Sequence, residues 1–428
     1  MSVQSFSMPP SLWAATAQPG PQTPPLTEDK QVDVAIVGAG YTGLTTALHL
    51  ASAGTATCVL DAGEPGWGAS GRNGGQVIPG LKYDPDELMK LFGDEKAEAI
   101  IRVAGGAADE VFKLIDRYGI DCDAVRQGWI QPACTPAAMR AIEQRAQQWQ
   151  RRGVAAELLD ARGAAARIGS QGYLGAWVDP RAGSVHPLKL ARGLARAALH
   201  HGAAIHGRTR VTGLKREGSQ WALTTEQGAR VTAHRVVLAT NGYSDDLWPG
   251  LRQTLIAANS FIVSTPVLPT ALAQQILPQG EVCSDARRLL LYYKKDAQGR
   301  LLLGGRGPFS EPRSPDDFNQ LKRAVTALFP QLEGIGFEHH WSGRVALTRD
   351  FLPHVHEPAP GLSILLGYNG RGIAMSTTLA RHLSGHLLGA SNDLVFPVTP
   401  VNPIPFHGLQ RLYLGAGIAW YRLLDTFG

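Results

Sequence analysis

The sequence predicts an α/β fold organised round a parallel βαβ unit, and three observations carry that expectation. Between Val32 and Asp61 an apolar run, a glycine-rich turn, a helical stretch, a second apolar run and an acid follow in order. Strand-to-small-residue junctions recur at Arg235–Tyr243 and Leu362–Gly372. Finally, 428 residues with 44% hydrophobic content, 18% charged residues and 49 glycines are enough for two or three folded domains and exclude a disordered chain.

Residues 1–29 hold Pro9, Pro10, Pro19, Pro21, Pro24 and Pro25 and lack the basic-then-apolar pattern of a secretory signal, so an extended leader lying on the folded body is expected. Val32–Val37 then reads as a strand buried on both faces. In the turn Gly38-Ala39-Gly40-Tyr41-Thr42-Gly43, Gly38 permits the tight bend, Gly40 lets backbone amides approach a pyrophosphate and Gly43 lets the next helix pack on the strand. That helix spans Thr42–Ser52 and Gly54 ends it. A strand at Thr57–Leu60 leads to Asp61, placed to accept hydrogen bonds from ribose hydroxyls and to disfavour a 2′-phosphate. The segment reads as a Rossmann-like dinucleotide-binding unit, the other reading being a phosphate-free βα turn.

A second cradle follows at Gly68-Ala69-Ser70-Gly71-Arg72-Asn73-Gly74-Gly75-Gln76, where amides would donate and Arg72 would supply charge. It is otherwise a mobile surface loop. Strands at Val211–Leu214 and Trp221–Thr225 would return the chain to the first sheet before Arg235–Leu238, which ends in Ala239 and Gly242. Leu362–Leu366 leads through Gly370, Arg371, Gly372 and Ile373 into a helix ending at Leu388. That helix N-terminus would offer its positive dipole to a flavin ring edge, or be a plain βα turn.

These segments resemble the D-amino-acid oxidase/glycine oxidase family of flavoproteins, most closely its gamma-glutamylputrescine oxidoreductase-like branch. The resemblance takes in Ser11–Ala17, Val37–Leu50, Gly68–Gln76, Asp179–Pro187, Leu238–Tyr243, Trp341–Gly343, Gly367–Gly372 and Trp420–Asp425. It implies a Rossmann-like FAD domain of glutathione-reductase-type topology, assembled from residues 30–82, 179–250 and 342–390. An inserted α+β substrate domain with a mixed sheet would take 83–178 and 251–341, and 391–428 would form a C-terminal extension. The implied FAD ligands are Gly38, Gly40, Tyr41, Thr42, Gly43, Asp61, Ala69, Ser70, Arg72, Asn73, Gly74, Gly75, Val211, Ala239, Gly242, Gly343, Gly370, Arg371, Gly372 and Ile373. The implied reaction passes a hydride from a small amine or amino acid to flavin N5, with imine hydrolysis and reoxidation by dioxygen or a quinone. Many relatives carry Glu where Asp61 stands, a shorter reach with the same chemistry. Neither His nor Cys occurs in the Gly68–Gln76 loop, and Cys283 lies outside any tethering motif, so the FAD is expected to be non-covalent.

For the substrate side, Leu289–Arg306 reads as a hairpin round Asp296–Gly299, with Tyr292 and Lys294 on one face and Tyr293 on the other. Arg306 could fork to a substrate carboxylate or be a solvated strand end. Trp341 and Tyr368 could wall the flavin or pack in the core, and Arg344 and Arg349 are weaker candidates. His339-His340 in a strand point to opposite faces, so no metal is expected, and His186 before Pro187 reads as structural at a helix start.

The +5 formal charge is dispersed among acids, which argues against nucleic acid as partner. Four cysteines without C-x-x-C spacing point to a reducing cytoplasm. No apolar run is long enough to span a membrane, and Leu409–Phe427, with Arg411, Arg422 and Asp425, reads as an amphipathic helix. The expected protein is a monomeric or homodimeric FAD amine or amino-acid oxidase. A quinone-linked dehydrogenase and a non-catalytic flavin-binding or redox-sensing protein are the alternatives.

Overall fold

The computed structural model describes residues 6–287, 289–308, 310–390, 394–410 and 415. Two eight-stranded sheets organise them. In the first, the strands run in the order His354–Ala359, Leu362–Leu366, Arg230–Leu238, Lys30–Val37, Thr57–Leu60, Ala204–His206. Along this order neighbours are parallel from Leu362–Leu366 onward and antiparallel at the His354–Ala359 edge. Val34 to Val37 and all of Thr57–Leu60 and Leu362–Leu366 are buried, as a parallel sheet covered on both faces requires. A hairpin of Val211–Glu217 and Gln220–Thr225 extends Arg230–Leu238. Helices Tyr41–Ser52, Pro187–His200 and Gly372–Leu387 pack together over the sheet.

The second sheet runs His339–Leu347, Ile256–Val267, Arg300–Arg306, Tyr292–Lys295, Val282–Ser284, Trp129–Ala133, Gly175–Asp179, Glu157–Asp160. It is mixed, because Val282–Ser284 pairs parallel with Trp129–Ala133 while the other pairs are antiparallel. The boundary drawn from the sequence at 341/342 falls inside its strand His339–Leu347.

Within the leader, one short stretch is helical. Ser11 caps a short helix, Leu12–Thr16, whose Leu12 and Trp13 are buried against Leu188, Ile262, Leu302 and Trp341. The leucine–tryptophan pair makes this turn part of the core. The amphipathic helix expected at Leu409–Phe427 lies outside the described residues apart from Leu409, Gln410 and Gly415.

Candidate active site

The strand Lys30–Val37 turns at Gly38, whose φ of +109° suits glycine, and its amide bonds Leu60 O. The helix Tyr41–Ser52 starts at Gly40, which has no side chain to cap it; Ser70 Oγ accepts the Tyr41 amide at 3.0 Å. A Cβ on Gly43 would lie 1.9 Å from Gly38 O, so only glycine lets this helix sit so close to its strand. Uncapped amides and helix dipole together make an anion seat.

Asp61 does more than the sequence suggested. Its Oδ2 accepts the Ala39 amide at 2.6 Å and its Oδ1 the Gly63 amide at 2.7 Å, so the carboxylate braces the glycine turn itself. Burial raises its pKa, against those two bonds. Each oxygen still has a lone pair for a ribose hydroxyl.

The loop Gly68–Gln76 is clamped rather than mobile. Asn73 Nδ2 donates to Ala69 O and Ser70 O, while its Oδ1 accepts the Gly75 amide. Arg72 Nε donates to Trp67 O, and its guanidinium stacks 4.3 Å from the Trp67 ring. From behind, the indoles of Trp13 and Trp341 donate to Asn73 O and Arg72 O, both at 2.8 Å.

A single cavity of about 1100 Å³ joins these parts, at the upper end of what small-molecule sites occupy. Of the expected FAD ligands all but Gly43 and Gly75 line it. Gly43 serves helix packing, and a Cβ on Gly75 would meet Val185 O at 2.3 Å. At the third junction, Asn241 Oδ1 accepts the Gly367 amide, and Asn369 Nδ2 donates to Thr348 Oγ1 and Gly367 O. These bonds tie two strand ends beneath Gly370–Ile373.

Three of the five substrate-side candidates reach the cavity: Tyr292, Arg306 and Tyr368. Tyr292 Oη bonds Ser260 Oγ at 2.8 Å, and burial pushes its phenol up to about 12. Tyr368 Oη bonds Thr42 Oγ1 at 2.7 Å, joining the first and third junctions.

The other two candidates are corrected. Trp341 does not wall the cavity; it is buried behind the Arg72 loop, held by its indole bond and an edge contact with Trp13. Lys294 shares a strand face with Tyr292 but lies beyond the cavity, its ammonium donating to Val185 O at 2.9 Å beneath the Gly75 turn. Burial lowers its pKa to about 8. Tyr293 is in the core, as alternation requires.

Arg344 and Arg349 also line the cavity. His186 caps the helix Pro187–His200 by accepting the Lys189 amide, and burial lowers its pKa to about 3. Among the described residues no group of His, Cys, Asp or Glu is placed to hold a metal ion, and no helix is long and apolar enough to cross a membrane.

Sequence reasoning missed Lys82, Trp129, Gln131 and Asn259, all of which line the substrate end. They come from a loop and two strands far apart in the chain, and no local motif marks them.

The residues present fit a flavin dinucleotide. A glycine turn at a helix start seats a pyrophosphate, an acid stands at the second strand's end, and the same cavity continues past a second helix start into the mixed sheet. Fold and site thus define a flavin-dependent oxidoreductase built on two sheets. Residues 33–385 match the family model described as FAD dependent oxidoreductase (DAO), and the chain belongs to that family and uses FAD. Gamma-glutamylputrescine oxidoreductase of Escherichia coli (strain K12) is 33% identical over 424 residues, covering 98% of each chain. The crystal structure of glycine oxidase from Geobacillus kaustophilus superposes with a TM-score of 0.73 at 23% identity, covering 88% of this chain and 99% of that one. That of L-proline dehydrogenase from P. horikoshii gives 0.70 at 18% identity, covering 86% and 96%. The chain is therefore an FAD-dependent oxidoreductase of a family acting on amines and amino acids.

Proposed function

We propose that the chain oxidises a C–N bond of a small amine or amino-acid derivative, gamma-glutamylputrescine-like or N-alkylated, with non-covalently held FAD and dioxygen as acceptor. The observation that carries this reading is the single cavity running from Asp61 and the Gly38–Thr42 turn to Tyr292 and Arg306 on the other sheet. FAD, when bound, supplies the two-electron acceptor and passes the electrons to dioxygen, releasing peroxide.

The chain's own residues bind, orient and exclude water. The Gly38–Thr42 turn seats the pyrophosphate, Asp61 the ribose, Val211 the adenine side, and the helix start at Gly370–Ile373 the ring edge. Ile78, Leu290 and Trp129 give the substrate end apolar walls, which disfavour an ammonium and promote the neutral amine that oxidation needs. Tyr292, with its phenol held neutral, orients rather than abstracts a proton. Among the described residues no His or Cys lines the cavity, which supports an untethered flavin.

One observation favours a second reading. The fold neighbours include both a glycine oxidase and an L-proline dehydrogenase, so a quinone-linked dehydrogenase shares the same scaffold. Anaerobic addition of amines and amino acids should bleach the flavin, and air should then return near-stoichiometric peroxide. Bleaching without peroxide selects the dehydrogenase, and a flavin reduced by none of them refutes both.

A further inference from the structure

Two indoles hold two successive peptides of the Gly68–Gln76 loop from the side away from the cavity. Trp341 Nε1 donates to Arg72 O and Trp13 Nε1 to Asn73 O, each at 2.8 Å, and neither ring lines the cavity. A trans peptide is planar, with its C=O and N–H pointing in opposite directions, and no peptide bond among the described residues is cis. Each indole therefore turns the N–H of the next residue toward the other side of the loop.

The two N–H groups meet different surroundings. The Asn73 amide, on the peptide that Trp341 holds, donates to Ala69 O at 3.1 Å within the loop. The Gly75 amide is also taken, by Asn73 Oδ1 at 2.8 Å. Between them the Gly74 amide, on the peptide that Trp13 holds, has no acceptor among the described residues, and Gly74 lines the cavity. Gly74 also meets the second sheet, since a Cβ there would lie 2.5 Å from the Tyr292 ring. A ligand that fills this part of the cavity buries the Gly74 amide, at a cost of about 1–3 kcal/mol unless it accepts from it.

We propose that Trp13 is a positioning residue for the flavin: by holding Asn73 O from behind, it aims the Gly74 amide at the ring of bound FAD and so favours the reduced cofactor. The inference rests on FAD filling the cavity, as the proposed function has it, and not on which amine is oxidised. With the pyrophosphate at the Gly38–Thr42 turn, the ring is the part of the dinucleotide that extends toward Tyr292. Its rim accepts hydrogen bonds at carbonyl oxygens and ring nitrogens, and a donor there stabilises the electrons that reduction adds. An indole bond at the carbonyl of the same peptide polarises the N–H and strengthens that donation. The indole is itself fixed, with His186 and Trp341 at ring separations of 4.7 and 5.8 Å and the Lys294 ammonium 5.4 Å away. The leader thus reaches the cofactor through one peptide bond without touching it.

The test is the midpoint potential of FAD in the loaded protein, measured by dye equilibration in Trp13→Phe and Trp341→Phe. Both variants keep an aromatic ring and lose one indole bond to the loop, so both should lower Tm. Only Trp13→Phe should lower the potential, because it alone frees the peptide whose amide faces the cavity. The reduced form should lose about fivefold in affinity relative to the oxidised, about 20 mV for a two-electron couple. An unchanged potential in Trp13→Phe would overturn the proposal, and so would an equal fall in Trp341→Phe, which would make the effect a general loosening of the loop. The wild-type holoenzyme decides even where Trp13→Phe does not hold FAD. By NMR of protein carrying isotope-labelled glycine, the Gly74 amide should exchange with solvent within about tenfold of the Gly75 amide, whose acceptor is in the chain. Faster exchange, or protection that arises only when an amine is added, would contradict a bond to the flavin. Neither readout needs turnover, so a potential that falls only in Trp13→Phe, on a flavin that no amine reduces, would keep this role for Trp13 and refute the proposed reaction.

Discussion

At the Gly38 end of the cavity the ligand-facing groups are backbone amides and short side chains locked by the protein's own hydrogen bonds, whereas at the Arg371 end they are long side chains such as Lys82, Trp129, Tyr292 and Arg371. Asp61, Ser70, Asn73 and Asn369 each brace a turn before any ligand arrives. The difference teaches that the chain builds its cofactor seat from braced backbone and its substrate seat from side chains. Variants at the two ends should therefore fail in different ways.

The largest effect is expected where both ends rest on the leader. Trp13 is buried, donates to Asn73 O and packs on Trp341, so Trp13→Ala should lower stability by about 4 kcal/mol, read as a fall in Tm and denaturant midpoint. A leader that only lies on the surface would give almost no change.

Next, Gly43→Ala sets a methyl against Gly38 O and should cost about 3 kcal/mol, with FAD per chain falling in the purified protein. Asp61→Ala removes the acceptor for two turn amides and should weaken FAD by about 1 to 3 kcal/mol, roughly tenfold or more, in reconstitution titrations. In molecules that still hold FAD, both variants should keep the wild-type response to the amine that reduces the flavin. A changed response would erase the division between the ends.

The smaller effects belong to the substrate end. Tyr292→Phe loses the bond to Ser260 and should lower kcat/KM by about 1 kcal/mol, roughly fivefold, with FAD content unchanged.

The same contrast explains what could be read in advance. Gly38, Gly40, Gly43, Asp61 and the Gly370–Ile373 junction are written as local spacing, because strand, turn and helix must follow within a few residues for the backbone to make the site. Their bracing could not be read: that Asp61 holds the Ala39 and Gly63 amides depends on how the Thr57–Leu60 strand docks. Trp341 and Lys294 carry no mark of which side of a loop they occupy. For Trp341 the sequence left walling the flavin and core packing both open, because an indole that bonds a buried carbonyl looks in sequence like one that walls a ligand. Lys82, Trp129 and Gln131 converge only when the second sheet forms, and the leader's helix is too short for periodicity to reveal.

The most direct test of the central claim, an untethered FAD seated by the Gly38 turn in an otherwise complete site, is acid precipitation of the purified yellow protein followed by flavin assay of both fractions. One FAD per chain should pass into the supernatant, with colour restored when refolded apoprotein is given FAD. Flavin that stays with the precipitate, or protein that is colourless and takes up no FAD, would contradict the account.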